Sequence, residues 1–492
     1  MASSAARIDR EDVFLELTRS ICPLCKRVID AEVSAREGRV ILRKRCPVHG
    51  EFEALVYSDA DAYVAQQRFN KPGTIPLALQ TDTRDGCPLD CGICPAHKQH
   101  TCLGIIEVNS ACNLDCPVCF ADSGRRHPDQ FSLTREQVAR MLDAFVEAEG
   151  EPEVIQFSGG EPTIHPEILE FVAMARERGI RIVMVNTNGI RLARDPAFAH
   201  ELARLGGHVY LQFDGLEQAT HLALRGRDLR DVKVRALEHC AGEGLGVTLV
   251  AAVERGINDH ELGAIVRTGV AHPAVSSVVF QPVTHSGRHG VFDPLSRLTN
   301  ADVIGAVAEQ LPEWFAPSDF VPVPCCFPTC RSMAYALVDD GRLVPFTRLL
   351  DIDEQLDYLA NRVTPDRALR AALERMFSSS ATPGAERALQ TCESCGIDLP
   401  RALRELEHRV FMVVAQDFQD AYTLNVRQLM KCCVAEIVPD GRLIPFCAYN
   451  SVGYREQVRA QLTGAPVEPV VPNARELQDL LRPTVHGSRT AS

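Results

Sequence analysis

The chain has 492 residues, 46% hydrophobic and 24% charged, with a formal net charge of −13. That length allows roughly two to four domains, and the acidic balance argues against a protein that tracks nucleic-acid phosphates on a basic surface. No stretch approaches the ~18 consecutive apolar residues of a membrane-spanning helix, and MASSAARIDREDV lacks the apolar centre of a signal peptide, so a cytoplasmic protein is expected.

The chain holds 19 cysteines, mostly in C-x2-C and C-x3-C groups, which point to metal binding rather than disulfides. Residues 15–75 read as a small metal-stapled module, because Cys22-Pro-Leu-Cys25 and Cys46-Pro-Val-His49 flank a charged, strand-like stretch. A core this small needs a staple. Cys22, Cys25 and Cys46, with His49 as the nearest fourth donor, suit zinc; a rubredoxin-like iron is the alternative if another thiolate completes the set. Residues 76–102 carry Cys87, Cys91 and Cys94 in C-x3-C-x2-C spacing, with Cys102 within reach as a fourth ligand. The polar QTDTRDG before them and Pro95 after them suggest a closed four-thiolate site, serving as a staple or an electron relay.

The same spacing returns at Cys112, Cys116 and Cys119, now behind the buried-strand pattern IIEV and followed by Phe120. Three thiolates hold three corners of a four-iron four-sulfur cube and leave one iron open. An open coordination position separates a catalytic metal site from a closed structural one.

From 103 to 298 short apolar runs alternate with amphipathic helices, which predicts a parallel sheet of six strands: IIEV, EVIQFSGG, IRIVMVNTNG, HVYLQFDG, VTLVAAV and VSSVVFQPV. Functional residues then belong at the C-terminal strand ends. The cysteine loop follows the first strand and Gly159-Gly160-Glu161-Pro162 the second. Asn186 and Asn188 end the third, Gln212 and Asp214 the fourth, Glu254 and Asn258 follow the fifth, and Gln281 ends the sixth. Asp214 is the preferred ribose-hydroxyl ligand. Cys240, within a helix, reads as a buried small hydrophobe.

Residues 299–465 form a second cysteine-rich region, and 466–492 a polar, Pro-rich tail. Cys326 and Cys330, with Cys392 and Cys395 far downstream, make a second auxiliary ligand set, in which Cys325 is the alternative to Cys326. DDGRLVPFT and PDGRLIPFC form an internal repeat, each a turn between apolar strands and so a β-hairpin. The roles of Cys432, Cys433 and Cys447 stay open between ligand, substrate-facing thiol and packing.

Together CPLC, CPVHG, DGCPLDCGICPAH, VNSACNLDCPVCFADSG, FSGGEPTIHPE and DGRLIPFCAYN resemble one subgroup of the radical S-adenosylmethionine (SAM) superfamily. It includes the archaeal tetraether lipid synthase and proteins described as hydroxymethyl-dihydropterin methyltransferases. The resemblance implies an α/β fold: a radical SAM partial (β/α)6 barrel, a small N-terminal metal-stapled module and a C-terminal cysteine-rich α+β auxiliary-cluster region. It implies SAM docked on the cluster of Cys112, Cys116 and Cys119, two auxiliary 4Fe-4S clusters and one mononuclear zinc or iron. Glu161 would receive SAM's ammonium, and SAM would be cleaved to a 5′-deoxyadenosyl radical that takes hydrogen from an unactivated C–H bond. Carbon–carbon coupling of lipid chains is the first expected outcome, and methyl transfer to a pterin-like or other small molecule the second. A small-molecule or lipid substrate is expected, with a low-potential donor such as ferredoxin or flavodoxin, and peripheral membrane contact if the substrate is a lipid. The rival from another class is a non-catalytic iron-sulfur electron carrier, which needs neither an open iron nor a SAM site.

Overall fold

Four strands open the fold: β1 (Val13–Ile21), β2 (Val28–Arg36), β3 (Arg39–Cys46) and β4 (Gly50–Tyr57), paired antiparallel in chain order. Alternation puts Ala31, Val33, Val40, Leu42 and Tyr57 into a core of their own. The β2–β3 hairpin turns on Glu37 and Gly38, both at positive φ, as a two-residue turn of this kind requires. The computed structural model describes residues 12–124, 130–323, 326–339, 341–348 and 410–465. Cys325, Cys392, Cys395 and the 466–492 tail lie outside the described residues.

The six predicted strands are present as β5 (Leu103–Glu107), β6 (Val154–Ser158), β7 (Ile182–Thr187), β8 (Gly207–Gln212), β9 (Val247–Val253) and β10 (Val275–Pro282), each parallel to the next. Between them run α2 (Arg135–Glu149), α3 (Ile168–Glu177), α5 (Pro196–Arg204), α7 (Arg230–Gly242) and α8 (Leu262–Ala271), with a helix α1 (Ala60–Gln66) earlier and short helices α4 (Ile190–Arg194) and α6 (Gln218–Arg225) among them. Thr134 starts α2 with a capping box, its hydroxyl taking Gln137 N–H while the Gln137 side chain takes Thr134 N–H. β5 and β6 are buried at every position, as strands covered on both faces must be. Helix residues such as Phe145, Phe171, Leu237 and Ile265 pack one face. Cys240 sits fully buried in that core, as expected of a small hydrophobe.

The parallel run is longer than the sequence pattern implied. β14 (Val410–Gln416) joins it beside β10 and β15 (Val434–Ile437) beside β5, both parallel, making eight strands. Antiparallel strands finish each side: β12 (Arg331–Asp339), with β11 (Val321–Pro322) and β13 (Arg342–Pro345), next to β14, and β16 (Leu443–Pro445) next to β15. The repeated DGRL segments are the hairpins β12–β13 and β15–β16, with Gly341 and Gly441 at positive φ. A further helix α9 (Asn300–Gln310) precedes this region, and α10 (Val426–Leu429), α11 (Phe446–Ser451) and α12 (Tyr454–Thr463) complete it. Leu103, Val154, Met184, Tyr210, Val250, Val279, Val414 and Val434 share the face away from the α2–α8 layer. One cavity is lined by residues of every parallel strand, so the sheet curls around it as a partial barrel does. No helix among the described residues is long and apolar enough to cross a membrane.

Candidate active site

Cys112, Cys116 and Cys119 lie on the β5–α2 loop and line that cavity, of about 210 Å³, together with Phe120, Gly159, Gly160, Asn186, Gln212 and Gln281. The loop is pinned through its carbonyls. Arg288 Nε donates to Cys116 O (2.7 Å), Arg225 Nη1 to Val118 O (3.3 Å), Arg455 Nη1 to Phe120 O (2.8 Å) and Arg459 Nη2 to Ala121 O (2.7 Å). Cys119 and Arg288 exchange backbone bonds at 2.8 and 2.9 Å. Four guanidinium groups thus surround a loop whose thiols would carry an anionic cluster, and none of the four stood out in the sequence. Burial pushes the Cys112 thiol up to about 12, the Glu161 charge adding to it, and burial raises Cys116 against the opposing pull of Arg225. Cys112 and Cys116 therefore keep their protons at neutral pH until a metal displaces them.

The glycine turn after β6 lies flat against this loop. A Cβ on Gly159 would come within 2.3 Å of Asn109 O, and one on Gly160 within 2.1 Å of Ala111 O. Both positions need glycine for that backbone-to-backbone approach, and Gly159 also sits at φ +131°. Gly160 N–H donates to Asn109 O and Glu161 N–H to Ala111 O. The donor set, three thiols on one braced loop with a bare peptide turn laid beside it, fits an iron-sulfur cluster with room for a second ligand molecule.

The strand-end residues divide. Glu161 is 1% exposed; its Oε1 takes Thr163 N–H (3.0 Å), the Thr163 hydroxyl (2.5 Å) and the Thr187 hydroxyl (2.7 Å), and its Oε2 takes Asn188 N–H (2.8 Å). The carboxylate first shapes the turn, and only Oε2 keeps capacity for a ligand. Asn188 lines the cavity and also braces the cysteine loop: Nδ2 donates to Asn113 Oδ1 (2.7 Å) while Oδ1 takes Ile190 N–H (3.0 Å). Asp214 is corrected from ligand to brace. It is fully buried, does not line the cavity, and is held bidentate by Arg225 at 2.6 and 2.7 Å, with Ala252 N–H and Gln212 Nε2 as further donors. Its carboxylate is spent on Arg225, which does face the cavity. Asn258 is buried and donates to Asp214 O and Ala252 O. Asn186, which donates to the Ser158 hydroxyl (3.3 Å), and Gln281, which donates to the Tyr210 hydroxyl (3.0 Å), remain at the cavity wall. Pro162 starts a short 3-10 turn behind the glycines.

The auxiliary cysteines group differently from the sequence expectation. Cys87, Cys91 and Cys94 line a small cavity with His97, but Cys102 does not line it; it packs with Cys326 and Cys433 against the β5 side of the sheet. Cys326 Sγ lies 2.9 Å from Cys433 Sγ, the Cys432 and Cys447 thiols hydrogen-bond each other, and Cys330 feels the charges of Cys432 and Cys433. Among the described residues five thiols, Cys326, Cys330, Cys432, Cys433 and Cys447, therefore converge. The β15 strand beside β5 brings Cys433 to Cys102, a long-range pairing that no local pattern announces.

At the N-terminal sheet, Sγ of Cys22, Cys25 and Cys46 and a His49 ring nitrogen all lie within 4.8 Å of one another, close enough for one tetrahedral ion. The knuckle after Cys22 closes by Lys26 N–H to Cys22 O (2.9 Å), with Lys26 at φ +57°. A Cys25→Ala variant is expected to lose one zinc per chain and leave the iron content unchanged. A binding free energy on the order of 10 kcal/mol then leaves this sheet, which limited proteolysis should read as early cleavage within residues 12–58; retained zinc would remove Cys25 from the ligand set.

A model of the Radical SAM superfamily matches residues 106–268, and one of the HMPTM N-terminal zinc ribbon domain matches residues 14–58. The chain is 32% identical over 488 residues to the 7,8-dihydro-6-hydroxymethylpterin dimethyltransferase of Methanocaldococcus jannaschii, covering 91% of this chain and 95% of that one. GTP 3′,8-cyclase of Chlorobaculum tepidum is 34% identical over 34% of this chain and 49% of its own length. Among solved structures, Streptococcus suis SuiB bound to S-adenosylmethionine aligns at TM-score 0.35 and 15% identity, covering 44% of this chain and 48% of that one. Similarity to one relative over nearly the whole of both chains, joined to the family match over the cysteine loop and glycine turn, leaves one conclusion: this chain is an enzyme of the radical SAM superfamily.

Proposed function

We propose that this enzyme methylates a pterin or a similarly polar heterocycle, with Cys112, Cys116 and Cys119 holding the SAM-binding cluster. The observation that carries the reading is the near full-length similarity to a protein named as a pterin dimethyltransferase, including its zinc ribbon. This reverses the order of the two outcomes expected from the sequence, in which lipid-chain coupling came first. The cavity wall supports the reversal. Gln156, Asn186, Gln212 and Gln281 line it from β6, β7, β8 and β10, and a hydrocarbon chain offers no partner to the amide atoms that Ser158, Asp214 and Tyr210 leave unused.

As a radical SAM enzyme it uses SAM and a four-iron four-sulfur cluster, which together supply a 5′-deoxyadenosyl radical able to break an unactivated C–H bond. The protein's part is positional. Asn113–Asn188 and the arginine-held carbonyls fix the loop, and the glycine turn leaves room beside it for an amino acid moiety. Glu161 Oε2 is the acceptor for an ammonium there, and Gln212 and Asn186 reach a ribose. Leu103, Ile105 and Val250 keep the cavity floor apolar, so that water does not compete for the reacting atoms. Cys87, Cys91 and Cys94, and separately the five convergent C-terminal thiols, are the sites for auxiliary clusters.

The test is anaerobic incubation of the reconstituted enzyme with reductant, SAM and 7,8-dihydro-6-hydroxymethylpterin, read by mass spectrometry. Methylated pterin is expected, formed together with 5′-deoxyadenosine; methyl-labelled SAM then tells whether SAM is also the methyl source. An unaltered pterin, alongside deoxyadenosine that forms only when a lipid is supplied, would return the enzyme to chain coupling.

A further inference from the structure

We infer that Arg331, Gln419 and Asn450 form the recognition edge of the substrate site and read the lactam and amino groups of a planar nitrogen heterocycle. The assignment rests on the methyltransferase reading above and names the part of the cavity that would make it selective.

All three residues line the same cavity as the cysteine loop. Arg331 is 3% and Gln419 4% exposed, yet Arg331 Nη1, Gln419 Oε1 and Asn450 Oδ1 are buried atoms with no hydrogen-bond partner among the described residues. Native interiors rarely leave such atoms unpaired, so each one needs an explanation. The opposite ends of the same side chains are anchored. Arg331 Nη2 donates to Gln416 Oε1, Asn450 Nδ2 donates to Phe446 O at 2.8 Å, and Gln419 Nε2 reaches Thr423 O at 3.5 Å. The wall therefore presents one fixed donor and two fixed acceptors. Arg331 also lacks an acidic partner among the described residues, in contrast to Arg225, Arg297 and Arg455.

Beside this edge stands an aromatic surface. The Phe446 ring lies 4.7 Å from Phe418 and 5.8 Å from Phe120, and all three line the cavity. A flat ring laid on aromatic carbon with its edge toward these groups matches a pyrimidinone. Its carbonyl takes the Arg331 proton, and its ring N–H and exocyclic amino group donate to Gln419 and Asn450. A hydrocarbon chain offers none of these partners.

The experiment measures binding to SAM-loaded, cluster-reconstituted enzyme by anaerobic calorimetry, using 7,8-dihydro-6-hydroxymethylpterin and its N3-methyl derivative. Arg331→Met and Gln419→Leu should each weaken the dihydropterin by about tenfold or more, because a site built to pair a polar edge rejects the loss of one partner strongly. SAM affinity and iron content should stay at wild-type values, which separates recognition from misfolding. The N3-methyl compound should bind the unmutated enzyme at least about tenfold more weakly, a comparison that needs no variant. If the wild type binds the dihydropterin while both variants and the N3-methyl compound stay within about twofold of it, this edge is wrong and the methyltransferase reading stands. If the wild type fails to bind the dihydropterin at all, both fall.

Discussion

The Cys112→Ala variant is expected to produce no 5′-deoxyadenosine above background and to lose about four irons per chain, the content of one cubane. With one of three thiolates gone, the two left cannot hold a cluster that already lacks a fourth protein ligand. The loop itself should survive, because its braces engage carbonyls rather than thiols: Arg288 on Cys116 O, Arg455 on Phe120 O and Arg459 on Ala121 O. Zinc at Cys22, Cys25, Cys46 and His49 should remain at one per chain and serves as the internal control. Chromatographic quantification of deoxyadenosine, with iron and zinc determined on the same sample, checks the prediction. An undiminished yield would transfer the catalytic role to the upstream triplet Cys87, Cys91 and Cys94, which has the same spacing but neither the β5 strand before it nor the glycine turn against it.

Replacing Arg225 by methionine should cost about 3–5 kcal/mol of stability, the range for removing one partner of a buried ion pair and stranding the other. Asp214 is fully buried, and Arg225 supplies two of its hydrogen bonds. A midpoint shift in denaturant titration at neutral pH, under conditions that keep the clusters bound, reads the loss. Adding Asp214→Asn to the same chain should recover much of it, since the amide has no charge to compensate and its oxygen can still take Ala252 N–H. The single variant should also lower the reduction potential of the cluster, because a cation next to Cys116 favours the more negative oxidation state. A single variant as stable as the parent would mean that the pair is solvated in solution and not the rigid support described above.

How far these features could be read in advance followed from how local their causes were. β5 to β10 were legible because each is a continuous apolar run with a helix after it, and their ends named the cysteine loop and the glycine turn. The zinc-type knuckles were legible for the same reason: both halves are two-residue spacings with one hairpin between them. Asp214 was misassigned because a carboxylate at a strand end looks the same whether it faces a ligand or a cation, and Arg225 approaches from α6, eleven residues further on. Cys102 was grouped by nearness in sequence, whereas its position follows from the pairing of β5 with β15, which draws Cys433 to it. Cys326 and Cys330, which precede β12, meet Cys432, Cys433 and Cys447 because the two ends of the sheet curl toward each other. The polar edge at Arg331, Gln419 and Asn450 comes from three segments that meet only in the folded sheet.

The carbonyl braces from α12 stand 335 and 338 positions downstream of the residues they hold. During synthesis the signature loop therefore leaves the ribosome long before the helix that steadies it has been translated, and so does β5 before its neighbour β15. Complete bracing of the loop is thus a late event in the life of the nascent polypeptide. A transcript ending ahead of Tyr454 would encode every residue of the family signature and still yield a protein with a poorly held cofactor.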